Sequence, residues 1–246
     1  MSQTLTTTTI ASPLKSRLTL DIPTIHELLP SLEPGEFAVL NGSSAASYLA
    51  SLLCVRAQLP AQLGGLASKA IFVDGGGGNT FRLYQITKIA QLLDLNPTQV
   101  LKQISIARAF TAYQMTCLIM DKLCEAAEVL GAKFMVVSDI AGTFLDEKMH
   151  ADEEAIGIYS QVAAHLSALA RQKDMIIVAT YLPHEQTSRN SALRALTQQN
   201  ASVVASFRTS KYHREFVLDK HPRYNVGSVQ FPSSQPTLPE FLGGFN

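Results

Sequence analysis

The chain has 246 residues, of which 46% are hydrophobic, enough for a sizeable core and incompatible with wholesale disorder. Lys+Arg and Asp+Glu balance at 20 each, so no global field drives tight non-specific nucleic-acid binding, and any such contact must come from a local patch. Cys54, Cys117 and Cys124 and the six histidines show no ligand spacing, and no run approaches the roughly 18 apolar residues that span a bilayer. These features predict a cytoplasmic protein with reduced thiols, no metal site and no membrane contact.

In chain order, residues 1–25 open with the Ser/Thr-rich "MSQTLTTTTIASPLKSRLTL" and are expected to be a flexible lead-in. A core domain follows over 26–231. "EFAVLNG" reads as a short strand entering a turn of tiny residues, with a helix from Ala46 to Gln58. "KAIFVDGGGG" is a buried strand running into glycines. "FRLYQITKIAQLLDL" places Leu83, Ile86, Ile89 or Ala90, and Leu93 on one helical face. In "NPTQVLKQI", Asn96 is the expected N-cap and Pro97 the first helical residue.

"ISIARAF" is the next strand, and "AYQMTCLIMDKLCEAAEVLGA" a long helix closed by Gly131. "KFMVVSDIAG" is a strand, "EEAIGIYSQVAAHLSALARQ" a helix, and "DMIIVATYL" a strand. "ASVVASFRTS", "REFVLDKHP" and "GSVQF" read as shorter hairpin strands, and 232–246 as a Pro/Ser/Gly-rich tail. Continuous apolar strands alternating with amphipathic helices predict an α/β fold: a mainly parallel twisted sheet, helices on both faces, antiparallel hairpins at one edge.

The stretch "VLNGSSAASYLASLL" has the outline of a phosphate-binding loop without its glycine-lysine pair. Further on, "AQLPAQLGGLASKAIFVDGGGGNTFRLYQITKIAQLLDLNPTQVLKQISIARAFTAYQM", then "KFMVVSDIAGTF" and "REFVLDKHPRYNVGSVQF", resembles the archaeal RadA and eukaryotic recombinase branch of the RecA superfamily over roughly residues 30–231. The resemblance implies a RecA-like nucleotide-hydrolase core. Its register puts the loop pattern GxxxxGK[ST] on Leu40, Asn41, Gly42, Ser43, Ser44, Ala45, Ala46 and Ser47. Both glycines and the lysine are replaced, and only the hydroxyl of Ser47 remains. Losing the ammonium removes a charge-assisted contact worth roughly 1.5–3 kcal/mol. The helix N-terminus still offers a weak anion site.

Two further positions depart from the family pattern. After "IFVD" the family has a glutamate that orients the attacking water, but here "GGGGNTF" follows Asp74. The aspartate supporting magnesium falls on Ser138, and Asp139, one place on, points to the other face of a period-two strand unless the strand bulges. Asp74, Ser138 and Asp139 are thus candidate remnants of an anion or metal site. Loss of lysine, base and carboxylate together is at odds with phosphoryl transfer. No catalytic residue and no cofactor are expected, beyond weak ATP/Mg binding.

Each other feature carries two readings. Gly75 to Phe81 forms an anion cradle or a plain loop; Arg108 and Gln114 are catalytic or structural. The five basic residues Arg189, Arg194, Arg208, Lys211 and Arg214 span a stretch without Asp or Glu. They form a single-stranded DNA contact, placed where the family's loop after "ATYL" meets DNA, or an ordinary solvated face. The implied function is that of a non-catalytic recombinase paralog assisting homologous recombination and repair. Its expected partners are a recombinase or other repair protein and, weakly, single-stranded DNA, with a homo-oligomer left open. The alternatives are a DNA-dependent ATPase with an atypical loop, and a regulatory scaffold unrelated to DNA.

Overall fold

A computed structural model describes residues 16–42, 44–76, 80–146, 151–209 and 213–231. Of the expected lead-in, 1–15 lie outside the described residues, and the part from Leu18 onward packs. β1 (Leu18–Thr19) pairs antiparallel with β2 (Ser31–Leu32), with α1 (Pro23–His26) between them in the chain. Leu18, Leu20, Ile22 and Ile25 are at most 1% exposed. Burying each is worth roughly 1.5–3 kcal/mol, which outweighs the loop-like composition. The buried Arg56 fixes the segment, donating from Nε to Thr19 O (2.7 Å), from Nη2 to Thr19 Oγ1 (2.7 Å) and from Nη1 to Asp21 (3.1 Å).

The strands read from continuous apolar runs all form, and their side-chain parity explains the runs. In β3 (Phe37–Asn41), Ala38 and Leu40 enter one core and Phe37 and Val39 the other, so both faces are covered. The same holds for β4 (Ala70–Asp74) and β6 (Phe134–Ser138). With β5 (Ile104–Arg108), β7 (Ile176–Tyr181), β8 (Val203–Thr209), β9 (Arg214–Lys220) and β10 (Gly227–Phe231), they make an eight-stranded sheet. Its order is β10-β9-β8-β3-β7-β6-β4-β5. From β8 to β5 neighbours run parallel, while β8, β9 and β10 pair antiparallel, the expected edge hairpins.

One core lies under α2 (Ser44–Arg56), α3 (Leu83–Leu92) and α4 (Pro97–Lys102). The other lies under α5 (Ala112–Cys117), a π-helical turn (Leu118–Lys122), α6 (Leu123–Leu130) and α7 (Asp152–Gln172). The Asn96 side chain accepts from the N–H groups of Thr98 (3.0 Å) and Gln99 (3.2 Å), the expected cap. Gly131 ends α6 in the left-handed region at φ 64°.

Besides the packed part of the lead-in, the segment after β7 departs from the sequence reading. The stretch expected as a loop after β7 becomes α8 (Ser188–Asn200), capped by Thr187, whose Oγ1 accepts from Asn190 N–H (3.1 Å). Its only fully buried apolar side chain is Leu193, so periodicity gives little signal. The Thr187 cap and the absence of Gly or Pro within 188–200 were the available clues.

Candidate functional site

Parallel strands point their carboxyl ends at one edge of the sheet, where open α/β folds place ligands. Here β3, β7, β6 and β4 deliver Gly42, His184, Asp139 and Asp74 to that edge.

β3 ends at Asn41 and α2 begins at Ser44, leaving Gly42 and Ser43 between them, with Ser43 outside the described residues. Of the eight positions set by the loop pattern, the first two lie in the strand and the last four in the helix. Gly42 has φ 135°, its N–H donates to Tyr181 O (3.2 Å), and a Cβ there would sit 3.0 Å from Phe207 Cβ, so a side chain is excluded. Ser44 is exposed, Ala45 and Ser47 are half-buried, and Ala46 is fully buried in the core with Leu49 and Leu53. The lysine position therefore carries a methyl group turned inward. The N-terminal end of α2 supplies a partial positive charge.

Asp74 is the last residue of β4 and completely buried. Its Oδ1 accepts from Thr80 Oγ1 (2.7 Å), and its Oδ2 from Thr80 N–H (3.2 Å) and Arg108 Nε (3.0 Å). Arg108 thus ties the end of β5 to the end of β4, and Gln114 Oε1 accepts from Phe110 N–H (2.9 Å). Both residues serve local structure here. Of the anticipated glycine cradle, Gly77, Gly78 and Asn79 lie outside the described residues.

β6 ends at Ser138, so strand alternation stops before Asp139, and the expectation that Asp139 faces away does not hold. Asp139 leaves the strand at φ 50°. Its N–H donates to Thr180 Oγ1 (2.8 Å), and its carboxylate lies against Gly142, where a Cβ would come within 2.6 Å of Oδ2. His184 Nε2 lies 2.8 Å from Asp139 Oδ1. That hydrogen bond is the largest influence on His184 and, with the carboxylate charge, raises its pKa against partial burial and the repulsion of Arg194. The sequence reading missed His184, although a histidine three residues beyond a strand's carboxyl end is well placed to meet this edge.

The five basic residues do not form one stripe. Arg189 Nε donates to Asp152 (2.6 Å), and Arg208 Nη2 to Asp219 (2.8 Å). An acid-free stretch of chain is therefore not an acid-free surface. Arg194 stacks on Tyr181, with Cζ 5.3 Å from the ring centroid; Arg214 begins β9 opposite Thr209, and Lys211 lies outside the described residues. Among the described residues no three His, Cys, Asp or Glu gather as a metal site, and no helix is long and apolar enough to cross a membrane.

The sheet order, the edge hairpins and the strand–turn–helix at β3 define a RecA-like α/β core. A family model described as Rad51 matches residues 35–204, and the chain belongs to that family. It is 30% identical over 171 residues to a DNA repair and recombination protein RadA of Aeropyrum pernix, covering 69% of this chain and 49% of that protein. A protein of the same description from Metallosphaera sedula is 28% identical over 156 residues (63% and 45%), and a DNA repair protein RAD51 homolog B of Zea mays 32% over 112 residues (45% and 32%). The chain spans about half the length, or less, of these relatives.

Proposed function

We propose that this chain acts in homologous recombination and DNA repair as a non-catalytic accessory that works through contacts with a recombinase or another repair protein. A weak contact with single-stranded DNA through the basic side chains of α8 and β8 belongs to the same reading. Its place in recombination rests on the Rad51 family match and on the printed descriptions of the relatives.

The observation that carries the non-catalytic part is the complete burial of Ala46, the lysine position of the loop pattern, in the core beneath α2. A triphosphate needs a cradle of backbone N–H groups and an ammonium. Both carboxylates at the edge are also engaged, Asp74 by Arg108 and Thr80, Asp139 by His184. These residues do not fit a magnesium–triphosphate. Calorimetric titration of ATP, with and without Mg²⁺, should give no micromolar binding and no turnover, while the full-length recombinase of the same cell should bind the purified chain. Micromolar ATP affinity with turnover would overturn the reading. It would favour an ATPase with an atypical loop, the reading supported by Ser47 and by the N-terminus of α2.

A further inference from the structure

A cavity of about 190 Å³ opens along one side of α8, lined by Gln186, Asn190, Ser191, Arg194, Ala195 and Gln198. Asn190, Arg194 and Gln198 recur every four residues and so stack along one face, with Gln186 closing the end nearest β7. Arg194 is the only charged residue of this lining, which contains no acid.

Arg194 differs from its basic neighbours. Arg189 and Arg208 each pair with a carboxylate, whereas Arg194 makes no ion pair among the described residues, and its Nε is buried without a hydrogen-bond partner. It is nevertheless held in place. The guanidinium stacks on Tyr181, whose hydroxyl donates to Asn190 Oδ1 (2.7 Å) and Asn190 O (3.1 Å). The guanidinium lies close enough to His184 to oppose, in part, the rise in pKa that Asp139 causes there. A guanidinium held this way gives up little rotamer freedom when an anion arrives, and a fork of N–H donors suits oxyanion geometry. The amides of Gln186 and Gln198 can donate from the rim. The volume equals roughly six water molecules and is below the roughly 300 Å³ at which drug-sized pockets begin.

We propose that this cavity binds a tetrahedral oxyanion of phosphate type, with Arg194 as its charged anchor. The site stands apart from the β3 edge and does not require the recombination reading, although Arg194 is one of the α8 basic residues assigned there to single-stranded DNA. Inorganic phosphate and the terminal phosphoryl group of a larger molecule share the required chemistry.

The test titrates inorganic phosphate into the full chain, following the thermal midpoint and the Arg194 Nε–H resonance, with chloride at matched ionic strength to remove screening. The wild type should saturate in the millimolar range, Arg194→Lys should retain a response, and Arg194→Gln should bind at least about tenfold more weakly. Ser191→Asp, an exposed change that places a negative charge at the rim, should abolish the response while leaving the circular dichroism unchanged. Oligothymidylate with and without a 5′-phosphate separates the sources, since a response confined to the phosphorylated strand identifies a terminal group as the ligand. No response to phosphate or to the 5′-phosphorylated strand, or an equal one in Arg194→Gln and Ser191→Asp, overturns the site. The ATP titration and the recombinase assay are unaffected by either result.

Discussion

Replacing Ala46 with lysine returns the missing ammonium on paper, and the structure predicts that it fails. Ala46 is the third residue of α2, wholly buried against the core that contains Leu49 and Leu53. Three further methylenes inserted there overpack the core at about 1–3 kcal/mol. Desolvating the ammonium adds several kcal/mol unless the side chain snorkels toward the nearby edge. Even with partial escape the loss is at least about 3 kcal/mol, which for a domain of this size lowers the thermal midpoint by roughly 6–12 °C. Ser44→Lys, two residues earlier and exposed, should cost no more than about 1 kcal/mol, chiefly from a cation at a helix N-terminus. Calorimetric melting of both variants, with ATP titrations, makes the comparison. An Ala46→Lys protein that melts with the parent and gains micromolar ATP affinity would refute the argument, because position 46 would then face the phosphates and the loop would be one substitution from competence.

Ala67 is exposed and sits at φ 46°, a region costing an L-residue about 1–2 kcal/mol. Allowing for glycine's entropy, Ala67→Gly should stabilise by up to about 1 kcal/mol in urea denaturation, and a loss would contradict it. Arg56→Met leaves Thr19 O and Asp21 without their donor and should lower stability by about 2–4 kcal/mol; a change under about 1 kcal/mol would mean that β1 is held by burial alone. His221 accepts at Nδ1 from the N–H groups of Arg223 (3.0 Å) and Tyr224 (3.1 Å), and burial, aided by Arg223, pushes its pKa down to about 4. The unfolded chain therefore takes up the proton first. Stability present above pH 6.5 should drain away as pH falls toward 4, by up to about 3 kcal/mol, and His221→Asn should flatten that slope. His184 has the opposite sign: its raised pKa makes its contribution complete below pH 6.5 and lost as pH climbs through the folded value, a loss that Asp139→Asn should erase from melting curves taken above neutrality.

The sheet was legible because a strand covered on both faces must be apolar along its buried length, and β3, β4, β6 and β7 each are up to their last one or two residues. α4 was legible through Asn96 and Pro97, whose backbone chemistry is local. α8 was not, because its burial comes from Asn190, Leu193 and Thr197, two of them polar, and a helix held by polar partners leaves little apolar period. β1 was hidden for a different reason. Its two residues gain their energy from Arg56 and from the core, both distant in sequence.

The edge of the sheet shows why motif positions alone could not describe the site. The register identified Ala46, Asp74 and Asp139, but a carboxylate's role depends on what faces it. Arg108 reaches Asp74 from 34 residues away, and His184 reaches Asp139 from 45 residues away. A carboxylate that already holds an internal cation gains less from a metal than a bare one, since the incoming ion must first displace a partner. Under the non-catalytic reading these pairs have a structural consequence: one closes the end of β4 onto β5 and the other the end of β6 onto β7 without a ligand, so the edge is set by the chain itself. Removing either partner side chain then has a defined effect. In Arg108→Met or His184→Phe a buried carboxylate is left uncompensated, and a divalent ion should bind more tightly to either variant than to the parent if charge alone limits the edge. If the buried methyl group of Ala46 limits it as well, Mg²⁺ affinity can rise in those variants while ATP affinity stays where it was.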